Sequence, residues 1–269
     1  MLEQSSLSVL FVPAAGAAPT AADVGFRLGA KGTHTSRTMM FDELQQVLAT
    51  APADAKRQDY ASAIINGNCL SKPTAATRRL TNQRLSELYG LDPSIPVFRV
   101  LRRLWDLESE GRHLLALLIS LARDPLLAAT APSVIFLPIN AEFRRDSMKA
   151  ALQGVVGARL NDSTLDKVCR NAASTWAQAG HLEGRTFKRR RSVRATSTTV
   201  AFALYLAHAV GFRGAEIFSN GWLRVLDCDP SQARHLALEA KRVGLLDLRM
   251  SGDVVELNLS RLDPYPRRS

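Results

Sequence analysis

The sequence predicts a mainly α-helical protein: a helical N-terminal domain, then two units in which helices are closed by a short β-hairpin. Three observations carry this. Apolar residues recur with helical spacing through most of the 269-residue chain, alternating patterns are confined to 183–195 and 245–259, and Pro, Gly and capping residues punctuate the segments between.

The first amphipathic segment is "MMFDELQQVLATA", with Met40, Leu44, Val47 and Leu48 on one face and Pro52 closing it. "KRQDYASAIING" is a second short helix ending at Gly67, and "PTAATRRLTNQRLSELYG" a longer one bounded by Pro73 and Gly90. On a helical wheel Ala76, Leu80, Leu85 and Leu88 form its apolar side, opposite Arg78, Arg79, Asn82, Gln83 and Ser86. Residues 95–131 read as two or three strongly apolar helices with Trp105 in the core. Their longest apolar run, "LLALLISLA" at 114–122, is far shorter than the ~20 residues that span a bilayer, so no membrane insertion is expected.

After the break "PSVIFLPIN", "DSMKAALQGVVG" is a helix capped at Asp146 or Ser147, and "STLDKVCRNAASTWAQAGHLEG" a longer one capped at Ser163. The latter turns Leu165, Val168, Cys169, Ala172 and Trp176 inward and Lys167, Arg170, Asn171, Ser174 and Gln178 outward. The extended stretch "HLEGRTFKRRRSVRAT" follows. The next unit repeats the order: "TSTTVAFALYLAHAVG", "RGAEIFSNGWLRVLDCD" and "PSQARHLALEAKRVG" are helices, and "LLDLRMSGDVVELNLS" is a hairpin turning at "SGD". Helices followed by a hairpin describe winged helix-turn-helix units. The boundaries expected are 33–138 for the N-terminal domain, with a helix-turn-helix-like element, 139–196 and 197–262 for the two winged units, and 263–269 for a tail.

Residues 1–32, rich in Ala, Gly and Pro, are expected to be a mobile leader. Their apolar middle resembles a signal peptide, but the segment opens with Glu3 and has no positive n-region. Cys69, Cys169 and Cys228 are an odd, widely spaced set that suits the reducing cytoplasm and core packing. The five histidines have no metal-ligand spacing, so neither metal nor cofactor is expected. Without a P-loop, GxSxG or HExxH motif, and with "DLESE" an exposed helix end, no catalytic residue is assigned and the chain is read as a non-enzyme.

Lys and Arg number 35 against 25 Asp and Glu, a net charge of +10 that calls for a polyanionic partner. The densest positive run, Arg185, Lys188, Arg189, Arg190, Arg191 and Arg194, occupies the wing position directly after the 163–180 helix. Such cations hold phosphates, while Lys167, Arg170, Asn171, Ser174 and Gln178 on the helix are placed to read bases. Arg78, Arg79, Asn82 and Gln83 offer a second polar face with the same donors. In the C-terminal wing Arg249 is opposed by Asp253 and Glu256, which points to packing or protein contact there. Aromatic residues are only 6% of the chain, so duplex DNA is preferred to RNA, for which stacking platforms are needed.

The stretches "GNCLSKPTAATRRLTNQRLSELYGLDPSIPVFRVLRRLW", "LLALLISLARDPLLAATAP" and "ASTWAQAGHLEGRTFKRR" resemble the BrxA family, the small A component of BREX phage-exclusion systems, over about residues 35–262. The resemblance implies an all-helical, NusB-like protein with winged-helix elements that binds double-stranded DNA in bacterial antiviral defence, alongside other BREX-type proteins. The leader and the 188–191 run have no counterpart in the family pattern. The alternatives to a DNA-binding role are an adaptor within a defence complex and an RNA-binding or transcriptional regulator.

Overall fold

A computed structural model of the chain describes residues 10–18, 20–29, 31–251 and 254–264. As the sequence predicts, it is mainly helical. The helices are α1 (Ala21–Val24), α2 (Phe41–Thr50), α3 (Arg57–Ile65), α4 (Ala75–Tyr89), α5 (Pro96–Trp105), α6 (Arg112–Arg123), α7 (Pro125–Thr130), α8 (Pro132–Ile135), α9 (Arg145–Val156), α10 (Asp162–Gln178), α11 (Ser197–Val210), α12 (Gly221–Arg224) and α13 (Pro230–Arg242). Among the described residues, strands form two antiparallel hairpins only: β1 (Leu182–Glu183) with β2 (Arg189–Arg190), and β3 (Asp247–Ser251) with β4 (Val254–Asn258). Both lie where alternation replaces helical spacing in the sequence. Gly252 and Asp253 of the "SGD" turn lie outside the described residues.

Local chemistry sets the helix ends, in places one step from the sequence reading. The Thr74 side chain accepts the Thr77 N–H at the start of α4, and Asn161 accepts the Thr164 N–H at the start of α10, so Asn161 and not Ser163 is the cap. Helix α9 starts at Arg145 without a side-chain cap, which places Asp146 in its first turn, where a negative charge favours the helix dipole. The stretch 213–229 is not one helix. It is a 3-10 turn, Gly214–Phe218, followed by α12, whose start is fixed by Asn220 accepting the Trp222 N–H.

Two helices are buried nearly all round: α6 from Leu114 to Arg123, and α11 over most of its length. They pack on each other, with α4, α5 and α7 around α6 and α12 and α13 around α11. One continuous apolar core therefore runs through the chain and crosses the boundaries expected at 138 and 196.

The expected mobile leader is overturned over its described part. Phe11, Val12, Ala21, Val24 and Phe26 are buried, because aromatic and branched side chains among the small residues find partners on the far side of the chain. The Phe11 ring lies 4.6 Å from that of Trp222, and Phe26 meets the same indole edge-on at 5.8 Å. Trp222 Nε1 donates to the Phe11 carbonyl at 3.0 Å, and the Gly221 N–H to that of Leu10 at 3.0 Å. A Cβ at position 221 would lie 2.2 Å from that Leu10 oxygen, so glycine is required there. Farther along, Ala18 N–H bonds the Val210 carbonyl and Arg27 N–H that of Ala122. The described residues between 10 and 39 form a strap across the helical body.

Helix α4 is rotated from the expected wheel. Its buried side is Thr81, Leu85, Leu88 and Tyr89, whereas Ala76 and Leu80 are exposed. The Tyr89 hydroxyl donates to the Met39 carbonyl, and Arg78 donates to the Ile65 carbonyl at 2.9 Å. Those two bonds dock α4 against the strap and α3.

Candidate nucleic-acid interface

The basic stretch begins where α10 ends. Gly180, at φ +87°, turns the chain out of the helix, and His181 N–H bonds back to the Trp176 carbonyl. Strand β2 is held along both edges. On one side Leu182 faces Arg190 and Glu183 faces Arg189; on the other, residues 140–143 run antiparallel to it, with Asn140 N–H to the Arg190 carbonyl at 2.8 Å and Phe143 N–H to the Lys188 carbonyl at 2.8 Å.

That double pairing divides the six expected phosphate contacts. Arg189 points out and donates to the Asn140 carbonyl at 3.2 Å. Arg190, the next residue, points in, as strand alternation requires. It is 1% exposed, its guanidinium is paired with the Asp227 carboxylate, and Nε donates to the Val134 carbonyl at 3.0 Å. Arg190 is thus corrected from a phosphate contact to a fastening of the hairpin. Arg191 is exposed but bonded to Glu183 at 2.5 Å and to the Asn140 side chain. Arg194 reaches Glu110 at 3.3 Å, with both side chains in water, a pair of small energetic weight. Arg185, Lys188 and Arg189 have no carboxylate partner among the described residues, and the Lys188 ammonium caps the turn by donating to the Gly184 carbonyl at 2.9 Å.

Helix α10 presents the outward face that its periodicity predicts. Lys167, Arg170 and Gln178 are exposed and Ser174 is half-buried, over a buried side of Leu165, Val168, Cys169, Ala172 and Trp176. Asn171 departs from its expected role. One N–H of its amide donates to the His34 carbonyl at 2.8 Å, so the side chain is tethered to the strap and does not simply face solvent.

The sequence reading did not place the strap on this helix. A 3-10 turn, Thr33–Thr35, lies between α10 and α4 and is bonded to both: Thr33 Oγ1 donates to Glu87 at 3.1 Å, and Gln83 donates to the other oxygen of that carboxylate at 3.0 Å. Thr35 and Ser36 thereby join Lys167, Arg170 and Asn171 around an open groove. Of the α4 residues expected to meet DNA, Arg79 and Gln83 are exposed, Asn82 is half-buried, and Arg78 is engaged with α3. The two polar helix faces are joined through the turn that the sequence had assigned to neither.

Below the groove lies a hydroxyl, imidazole and carboxylate in line. His34 Nδ1 is 2.8 Å from Asp124 Oδ2, and Nε2 is 2.8 Å from Thr175 Oγ1. The order resembles a nucleophile relay, but all three side chains are fully buried and Thr175 Oγ1 already accepts the Met39 N–H at 2.9 Å. A nucleophile must meet substrate; this trio braces the strap against α10. Burial pushes the Asp124 carboxyl upward, but the His34 ring and the N–H groups of His34 and Leu127 outweigh it and hold the group below the ordinary carboxylate range. At the hairpin base, burial drives the His181 imidazole down to about 4, assisted by Arg190 and opposed by the Val225 carbonyl and Asp227. Its Nε2 is 2.7 Å from that carbonyl, and Nδ1 has no hydrogen-bond partner among the described residues.

Among the described residues no group of three or more His, Cys, Asp or Glu side chains is arranged to hold a metal ion, and no single helix is long and apolar enough to cross a membrane. The three cysteines are free thiols, with Cys169 and Cys228 buried and Cys69 half-buried. No protein-family model and no curated protein matches the chain.

Proposed function

We propose that this chain is a non-enzymatic double-stranded DNA-binding protein that uses a winged helix built from residues 125–191, with α10 as the helix that enters the major groove. The order supports that reading: α7 and α8, the extended stretch 140–143, α9, α10 and then a hairpin flanked by that stretch. The single observation that carries it is the set Arg185, Lys188 and Arg189, cations without carboxylate partners on the hairpin that directly follows α10. Cations at that position hold phosphates, and a helix bearing Lys167, Arg170 and Gln178 can present donors to base edges. A role in bacterial phage defence of the BREX type, in the cytoplasm and alongside other proteins of such a system, rests on the resemblance to the BrxA family.

The adaptor reading is favoured by the other end of the molecule, where α11, α12, α13 and the β3–β4 hairpin suggest a second winged unit. There Leu238, Val243, Met250 and Val254 are exposed, and Arg249 faces Glu256 at 3.9 Å. Apolar groups beside a balanced charge pair suit a protein surface better than a phosphate backbone.

Titration of labelled duplex, single strand and RNA at several salt concentrations tests both. Duplex binding with a steep negative slope of log K against log salt supports the first reading. Equal affinity for RNA makes the chain a general polyanion binder. Absence of binding to all three at low salt leaves the adaptor.

A further inference from the structure

The turn of the basic hairpin carries an aromatic side chain that nothing in the molecule covers. Phe187 is 73% exposed, the highest value for a large apolar side chain among the described residues. Its placement is built. Gly184 sits at φ +114°, and a Cβ there would come within 2.2 Å of the Phe187 carbonyl oxygen, so the turn closes only with glycine. The Lys188 ammonium closes it from the other side by bonding the Gly184 carbonyl. Phe187 is therefore displayed between Arg185 and the Lys188–Arg189 pair.

The surroundings select the occupant. A neutral apolar protein or membrane surface would be matched by apolar neighbours, yet Phe187 is flanked by Arg185, Thr186, Lys188 and Arg189. The matching surface must present a flat apolar face within a few ångströms of negative charge. A base step of duplex DNA does, with its stacked bases between two phosphate rows. We propose that Phe187 is a wedge that enters a base step from the groove the hairpin occupies, while Arg185, Lys188 and Arg189 hold the adjacent phosphates. This rests on the DNA-binding reading above and adds to it a deformation of the duplex. Steps that unstack at low cost, TA and CA/TG, are the favoured sites.

The test uses the full chain, a duplex carrying 2-aminopurine at a central TA step, and the same duplex labelled at both ends for energy transfer. Wild-type protein raises the 2-aminopurine emission and shortens the end-to-end distance. Phe187→Ala abolishes both signals and weakens binding about ten-fold, the loss of one base–aromatic stack, while its salt slope stays as in wild type because the phosphate contacts remain. Phe187→Leu, still apolar, keeps part of both signals. If wild type binds the duplex with neither signal, or Phe187→Ala matches wild type in both, the wedge is overturned and DNA binding stands. If wild type binds no duplex at low salt, both fall together.

Discussion

Arg190 and Asp227 form an ion pair at the base of the basic hairpin, with the guanidinium 1% exposed and the carboxylate largely screened by the chain. Asp227 also accepts the Val193 N–H at 2.9 Å, so one carboxylate fixes both the hairpin and the strand that leaves it. Breaking a buried pair strands one charge. Arg190→Ala is expected to cost about 3–5 kcal/mol in stability, read as a lower urea midpoint, whereas Arg191→Ala at the exposed neighbouring position leaves the midpoint nearly unchanged.

The unpaired cations predict the opposite pattern. Replacing Arg185, Lys188 and Arg189 together by Ala lowers the thermal unfolding midpoint only slightly, since the bonds lost to the Gly184 and Asn140 carbonyls are exposed to water, and weakens binding on every duplex. If each neutralises one phosphate, the slope of log K against log salt flattens by ~0.9 each, or ~2.7 in all. A triple variant that keeps the wild-type slope removes the hairpin from the DNA interface.

Two side chains on α10 separate holding from reading. Asn171→Ala removes the bond to the His34 carbonyl and lowers stability by about 1 kcal/mol, with the same effect on preferred and random duplexes. Gln178 is exposed at the end of the helix, and Gln178→Ala is expected to reduce preferred over random binding by roughly 1–3 kcal/mol if its amide forks onto a base. Competition binding with both duplexes checks the pair; equal losses for Gln178→Ala on the two would exclude base reading at that position.

Acid should loosen the molecule from two sides. The His181 imidazole has a folded pKa of about 4 against an ordinary value of 6.5, so the unfolded chain takes up the proton first. The stability tied to its neutral form is present above pH 6.5 and is lost as pH falls toward 4, on the order of 3 kcal/mol. Asp124, held below its ordinary value, acts in the same direction at still lower pH. Denaturation midpoints measured from pH 7 to pH 4 should fall steadily. His181→Asn, which keeps a donor and has no titrating ring, should flatten the upper part of that decline.

Much of the fold is legible in the sequence because local rules decide it. Thr196 with Thr199 forms a capping box for α11, and Gly211 at φ +114° ends it. The inward face of α10 follows from spacing alone. What was missed depends on distant partners. "KRRR" reads as one charge run, although in a strand alternate residues face opposite sides; the period of two was the signal that Arg190 could point inward. The small residues of 1–32 concealed Phe11 and Phe26, whose partner Trp222 lies some two hundred positions away. Asn171 has the right chemistry for reading a base, and only the path of the strap shows that one of its N–H groups is bonded to the His34 carbonyl.

That same strap sets an order of events in synthesis. Leu10 and Phe11 leave the ribosome well before their docking partners Gly221 and Trp222, each 211 residues later in the chain. These apolar side chains must wait, uncovered, while the intervening chain is made, which at ~5–20 residues per second takes on the order of ten seconds or more. A nascent chain stalled before position 221 is expected to expose Phe11 to chaperones and proteases, and emergence of Trp222 to end that exposure.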